Sequence, residues 1–318
     1  MPTTLRDIAN ACGMDVSTVS RALRDDARVA ASTRERIRRI ATRMGYEPNY
    51  AARSLVGART RTVWFLTPSI TNPHEQRPAD AASRLFAERG YDLLLMLYHR
   101  DAERYVHILR RLDQGVADGA VILPGPLADG KPELRRLADK EFPLVFLDRH
   151  PEFAEQPTVT TDNAGGAAML VEEVAAAGAE TFVVLHGDHN TVERDRRGGT
   201  VAALGRARMP FVFGGAAKPV DVAGAECVGI VGTLSHRICE YVDAHAEALA
   251  GKRLIYGCFD RFDADPYPAE RAFICEQDFD AMALRAVEVV HGLIEGNRPR
   301  DAEVLVPPKG IRVIEGRR

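Results

Sequence analysis

Apolar positions near the start of the chain recur with a helical period. Leu5, Ile8, Ala9 and Cys12 stand at i, i+3, i+4 and i+7, which is one face of a short helix. Thr4 precedes them and Asp7 follows three residues later, the pairing in which each residue satisfies a free N–H of the other. Gly13 then permits a tight turn, and Asp15 is placed to cap a second helix whose inward positions are Val19, Ala22 and Leu23. A third helix is predicted to open at Ser32, with Glu35 at the reciprocal position, and to bury Ile37, Ile40, Ala41 and Met44 before Gly45 closes it. Two helices joined by a short turn and braced by a third make a helix-turn-helix, although a three-helix bundle with a merely polar face fits the same pattern.

From Thr62 onward the period changes. Short apolar runs at Thr62–Thr67, Tyr91–Leu97, Gly119–Leu123, Leu144–Asp148, Phe182–His186, Phe211–Phe213, Cys227–Val231 and Leu254–Phe259 read as strands. Amphipathic stretches at 78–90, 101–113, 164–177, 234–249 and 278–295 lie between them. Repeated βα units imply parallel sheets covered on both faces. The length exceeds what one such sheet usually needs, so two doubly wound lobes with a ligand cleft between them are expected.

Charge sharpens the picture. Residues 1–61 hold twelve arginines, no lysine and six acids, a surplus of six positive charges. With a whole-chain charge of −3, the remainder carries −9. A basic head on an acidic body is the distribution of a nucleic-acid binder with a separate sensing or catalytic part. On the outward side of the second helix, Val16, Ser17, Arg21 and Arg24 face a prospective major groove. Arg21 is suited to guanine O6 and N7, Val16 to a thymine methyl, and Thr18 and Ser20 to phosphate oxygens. The five cysteines are scattered without a C-x-x-C pair, which fits reduced thiols and a cytoplasmic location better than disulfides or zinc. The N-terminus has no apolar signal-peptide core, and no run approaches a membrane span.

The stretch T-L-R-D-I-A-N-A-C-G-M-D-V-S-T-V-S-R-A-L, followed by T-R-E-R-I and G-Y-E-P-N-Y-A-A-R-S-L, resembles the lactose-repressor (LacI/GalR) family over residues 3–55. The resemblance implies that Pro48–Leu55 is a hinge that becomes helical on the operator, with Leu55 wedged into the minor groove. Pro48 suits a first helical turn, and Asn49–Leu55 is too short to be helical alone. The DNA-contact set is then Thr4, Val16, Ser17, Thr18, Ser20, Arg21, Arg24 and Arg28 in the head. Asn49, Tyr50, Ala52, Arg53 and Leu55 complete it in the hinge. Asp15 departs from the serine usual at that cap.

Weaker likenesses continue in L-D-R at 147–149, T-D-N-A-G-G at 161–166, G-C-F-D at 257–260 and Q-D-F-D-A-M-A-L-R-A-V at 277–287. They imply a small all-α head on a two-lobed, periplasmic-binding-protein-like α/β body of parallel doubly wound sheets. The expected division is 1–47 for the helix-turn-helix and 48–61 for the hinge. The N-terminal lobe follows at 62–160 with 278–305, and the C-terminal lobe at 161–277 with 306–318. His74, Asp148, Arg149, Arg196 and Asp260 lie just past strand ends or at a helix start, and match the family's effector positions. Asp260 suits vicinal hydroxyls, and Arg196 a ring oxygen, carboxylate or phosphate. For Asp148, a structural strand-end cap is the competing role.

Other departures bear on the ligand. Gly232-Thr233 replaces a family Asn-Asp pair, removing a polar anchor. His74 stands where an aromatic commonly stacks on sugar. Pro78 is expected in the first turn of a late-starting helix, and the 204–227 segment is short. His186-Gly187-Asp188-His189 lacks a third ligand cluster and does not read as a metal site. Gly198-Gly199 and Gly214-Gly215 lack nucleotide-binding spacing, and no nucleophile–base grouping is evident. The sequence therefore predicts a homodimeric repressor of a palindromic operator, controlled by a sugar or sugar-like effector. It is expected to need no cofactor, metal or membrane partner and to have no enzymatic activity. The final residues carry no leucine heptads, so a dimer rather than a tetramer is expected. A solute-binding protein or a sugar-processing enzyme would share the body but not the basic head.

Overall fold

The computed structural model describes residues 3–46, 59–124, 130–151, 153, 156–215, 222, 224–259 and 269–316. The hinge residues Asn49, Tyr50, Ala52, Arg53 and Leu55, and the cleft residue Asp260, lie outside them. Contacts divide the chain into a head, Met1–Thr60, and a body, Arg61–Arg318.

The head folds from helices α1 (Leu5–Cys12), α2 (Val16–Leu23) and α3 (Ala31–Arg43). Ile8, Ala9, Cys12, Val19, Ala22, Ile37 and Ala41 form one core with Val29, and Leu23, Ile40 and Met44 pack against it half-buried. Gly13 sits at φ 63°, a left-handed conformation that glycine adopts without steric cost, and ends α1. Helix α3 differs from expectation. It begins at Ala31 with Ala30 at the cap and no side-chain cap, so Ser32 lies inside the first turn. Val29 is buried and its N–H reaches the Asp26 carbonyl, which fixes the entry of the chain one residue early.

The body contains two six-stranded sheets. The first has the order β11-β5-β4-β3-β1-β2, with β1 Thr62–Thr67, β2 Asp92–Leu97, β3 Gly119–Ile122, β4 Leu144–Leu147, β5 Thr158–Thr161 and β11 Glu303–Val306. The second has the order β12-β10-β9-β8-β6-β7, with β6 Thr181–Val184, β7 Phe211–Phe213, β8 Cys227–Gly232, β9 Arg253–Phe259, β10 Arg271–Glu276 and β12 Gly310–Glu315. Pairing is parallel apart from β12, which runs antiparallel to β10. The chain passes between the sheets after β5, after β10 and after β11. Two of these crossings are tied together, because the buried Thr161 hydroxyl donates to Gln277 Oε1 at 2.7 Å.

Helices α4 (Pro73–Glu88), α5 (Ala102–Leu112), α6 (Lys131–Asp139) and α11 (Phe279–Ile294) bury apolar side chains with the first sheet. Helices α7 (Asn163–Ala176), α8 (Thr191–Ala207), α9 (Ser235–Ala244) and α10 (Ala246–Leu249) do so with the second. Pro78 is a correction: it lies inside α4, which opens five residues earlier with Pro73 in its first turn. The Asn72 side chain accepts from Glu75 N–H at 3.2 Å and caps that end. Pro78 leaves the His74 carbonyl without its helical donor, so one helical hydrogen bond is lost near the helix start.

Candidate functional sites: a nucleic-acid interface and a ligand cleft

In the head, Thr4 and Asp7 cap α1 reciprocally. Asp7 N–H donates to the Thr4 hydroxyl oxygen at 3.3 Å, and Thr4 N–H donates to the Asp7 carboxylate at 2.8 Å. The Thr4 hydroxyl also donates to Asp7 at 2.7 Å, which commits it to the cap. These bonds hold the Asp7 carboxyl below its ordinary range. Asp15 accepts from Ser17 N–H at 2.7 Å, and that bond lowers its carboxyl too. A carboxylate at this helix start faces the positive end of the dipole, so the departure from serine is locally satisfied.

With Val19 and Ala22 in the core, α2 turns Val16, Ser17, Arg21 and Arg24 to solvent and leaves Thr18 and Ser20 half-buried. Val16 is 38% exposed. Arg24 Nε donates to the Ser20 carbonyl at 3.2 Å, and Arg28 is bidentate on Asp26, with its closest N···O contact at 2.6 Å. The Arg21 side chain forms no hydrogen bond or ion pair among the described residues, and it is exposed. Of the arginines on this face, it is the one whose geometry leaves it ready for a base edge.

The body cleft is built where strand ends of the two sheets face each other. Asp148 follows β4 in a left-handed conformation at φ 71°, 2% exposed. Its Oδ2 meets His74 Nε2 at 3.3 Å and Arg149 Nε at 3.0 Å, while Oδ1 is buried without a partner. Burial alone would push this carboxyl up. His74, Arg149 and Arg196 outweigh it and hold it well below the usual carboxylate range.

Arg196 lies in the second turn of α8 and is 4% exposed. Its Nε donates to Asn163 Oδ1 at 2.7 Å, and its guanidinium carbon lies 3.7 Å from the Phe259 ring centroid, a cation–π stack in a dry setting. Asn163 is 2% exposed and donates to the Thr160 hydroxyl and the Thr161 carbonyl, so the first crossing holds the arginine in place. His186 sits just past β6 with its ring 6.5 Å from Phe259. Its Nδ1 is 2.9 Å from the Thr233 hydroxyl, and Nε2 is buried and unpartnered. Burial first, and the nearby Arg196 cation second, push this imidazole down to about 3, so it is neutral at physiological pH.

His74, Asp148 and Arg149 thus stand in direct contact, with Arg196 within electrostatic reach. Asn163, His186, Thr233 and Phe259 complete the cluster and were not anticipated as cleft residues. The T-D-N-A-G-G segment carried a signal for Asn163, since an amide after a strand end orients a neighbouring arginine. Thr233 keeps one polar group at the place of the family's Asn-Asp pair, and its hydroxyl is joined to His186. No cluster of three or more His, Cys, Asp or Glu that could hold a metal is found among the described residues.

Comparison with known proteins places both halves. Residues 4–49 match the family model for bacterial regulatory proteins of the lacI family. The chain is 30% identical to the ribose operon repressor of Bacillus subtilis (strain 168) over 209 residues, which cover 65% of this chain and 62% of that protein. It therefore spans under two thirds of that relative. The sucrose operon repressor of Klebsiella pneumoniae is 25% identical over 325 residues, covering 96% of each chain. Among solved structures, a lac repressor dimer bound to operator and an anti-inducer superposes with a TM-score of 0.70 at 20% identity, covering 99% of this chain and 98% of that one. That likeness establishes the head and two-lobed α/β body as the shared fold.

Proposed function

We propose that this chain, whose residues 4–49 match the family model for bacterial regulatory proteins of the lacI family, is a transcriptional repressor. Its operator affinity is set by a small, sugar-like effector held between the lobes of the body. The observation that carries this reading is the conjunction of an α2 face presenting Val16, Ser17 and Arg21 to solvent with a buried polar cluster where the two sheets meet.

Two heads on a two-fold axis would each enter the major groove of one half of a palindromic operator. The hinge residues Asn49, Tyr50, Ala52, Arg53 and Leu55 would order between them, with Leu55 as the apolar wedge that bends the duplex. The body offers a surface for the second copy. Strand β2 is a sheet edge, and it leaves Leu94 and Leu95, on opposite faces of the sheet, 40% and 39% exposed. Effector binding at His74, Asp148, Arg149, Arg196 and Asp260 would draw the lobes together across the crossings near Thr161 and Gln277. A coupling of about 1–3 kcal/mol between the sites suffices to switch operator occupancy. No helix among the described residues is long and apolar enough to cross a membrane.

Selection of bound sequences from a random duplex pool, with the full chain at physiological salt, tests the DNA-binding half. A palindromic consensus is expected, and a Leu55→Ala chain should lose affinity for it far more than for unrelated duplex. Recovery of unenriched sequence, with and without added metabolites, would contradict the proposal.

A further inference from the structure

The cleft contains two polar atoms that the resident side chains leave unmet. Asp148 Oδ1, from the first sheet, and His186 Nε2, from the second, are both buried without partners. A buried polar atom without a partner is costly, and its persistence at a cleft points to a ligand that completes it. The two cations nearest them are already engaged. Arg149 is bonded to Asp148 Oδ2, and Arg196 is bonded to Asn163 and stacked on Phe259. What remains to be satisfied is an acceptor-only carboxylate oxygen and one nitrogen of an imidazole whose other nitrogen is bonded to Thr233.

We propose that His186, positioned by Thr233, determines effector specificity by hydrogen-bonding an uncharged hydroxyl of the ligand through Nε2 while Asp148 Oδ1 accepts from another. The inference rests on the effector-cleft assignment and goes beyond it by naming the class, uncharged polyhydroxylated sugars as opposed to their phosphate esters. A hydroxyl both donates and accepts, so it satisfies either tautomer of the imidazole. A phosphate ester would set its dianion beside the ionised Asp148, with the nearest guanidiniums, Arg149 and Arg196, already bonded through Nε to Asp148 and Asn163. Phe259 fixes the arrangement by presenting its face to Arg196 and packing against the His186 ring. The Thr233 hydroxyl holds the ring so that Nε2 keeps one direction, which makes Thr233 a positioning residue.

The test uses the full chain in thermal-shift and calorimetric titrations with ribose, fructose, sucrose and cellobiose. Ribose 5-phosphate, fructose 1-phosphate and glucose 6-phosphate are run in parallel. At least one uncharged sugar should raise the melting temperature, and the esters should not at equal concentration. His186→Ala should weaken that sugar's binding about tenfold or more, as loss of a buried hydrogen bond does. Thr233→Val, which keeps the shape of the side chain, should weaken it as well, and Thr233→Ser should restore it. Binding confined to phosphate esters would overturn the inference, as would normal sugar binding by both His186→Ala and Thr233→Val. An Arg196→Ala chain separates the two levels. If it loses binding while the His186 and Thr233 chains keep it, only this inference falls. If it also binds normally, or if no sugar of either class binds the wild-type chain, the effector-cleft assignment falls with it.

Discussion

Arg21 and His186 carry the clearest expectations at the scale of single residues. The Arg21 side chain projects from α2 with no hydrogen bond or ion pair among the described residues, only longer-range attraction to Asp15 and Asp26, so its truncation costs the head no internal hydrogen bond. Arg21→Ala is expected to leave thermal stability unchanged and to weaken selected-operator binding by about 1–3 kcal/mol in gel-shift titration, relaxing the preference at one base pair. Arg28→Ala should cost less specificity, because Arg28 is already bidentate on Asp26. His186 predicts a pH effect. Its folded value of about 3 lies below the ordinary 6.5. Below pH 6.5 the unfolded chain therefore takes up a proton that the native chain refuses. Its contribution to stability is intact above pH 6.5 and is lost progressively as pH falls toward 3. The loss reaches about 2 kcal/mol by pH 5, and denaturant titrations should show it in the wild-type chain and not in His186→Gln. His186 was visible in the sequence only as the end of an expected strand and a member of a rejected metal group. Its actual role depends on Thr233 and Phe259, which approach it only through the pairing of β6, β8 and β9.

Helix α8 shows why some elements escaped a reading of the sequence. Its face toward α7 is built on Gly199, where a Cβ would meet the Ala164 carbonyl oxygen at 2.3 Å, so close backbone approach replaces an apolar stripe. Without the stripe there is no helical period to detect, and α8 was foreseen only as a helix start at Arg196. The two adjacent glycines separate the effects. Gly199→Ala is expected to destabilise the body by about 1–3 kcal/mol, because the clash is with backbone. Gly198→Ala meets nothing within 4 Å and should stabilise it by about 0.5–1 kcal/mol, the usual helix-propensity gain. Chemical denaturation of both variants checks the pair. Ala30→Ser should likewise stabilise the head by about 0.5–2 kcal/mol by supplying the cap that α3 lacks. The central strands were legible because burial on both faces makes them continuous apolar runs. Strands β11 and β12 were missed because they lie at sheet edges with exposed positions such as Leu305 and Val313, and β5 because its four buried residues are three threonines and one valine, which make no apolar run. Strand β10 escaped too, although its interior is buried.

Charge and connectivity govern the whole molecule. A head with five surplus positive charges on a body with eight surplus negative ones makes DNA affinity strongly dependent on salt. Contact with six or more phosphates would lower it about a thousandfold or more between 50 and 200 mM salt. The body alone, residues 61–318, should show no such binding. The division into head and body was legible from the switch between helical and strand periods and from the arginine count. The cleft was legible only in part. His74, Asp148, Arg149 and Arg196 follow from strand ends and resemblance, but the bond from Thr161 to Gln277 and the hold of Asn163 on Arg196 come from residues distant in sequence. Those links make lobe closure a credible route from ligand to hinge, since the crossings that would bend are the ones that position the arginine.

The most direct measurement of the central claim, that ligand in the cleft governs DNA binding, is an operator-affinity titration. It would use the full chain on its selected site, with and without the sugar giving the largest thermal shift. The account predicts at least a tenfold change in affinity for the wild-type chain and none for Arg196→Ala, whose affinity without sugar should match the wild type. Equal affinities with and without a sugar that demonstrably binds the wild-type chain would contradict it.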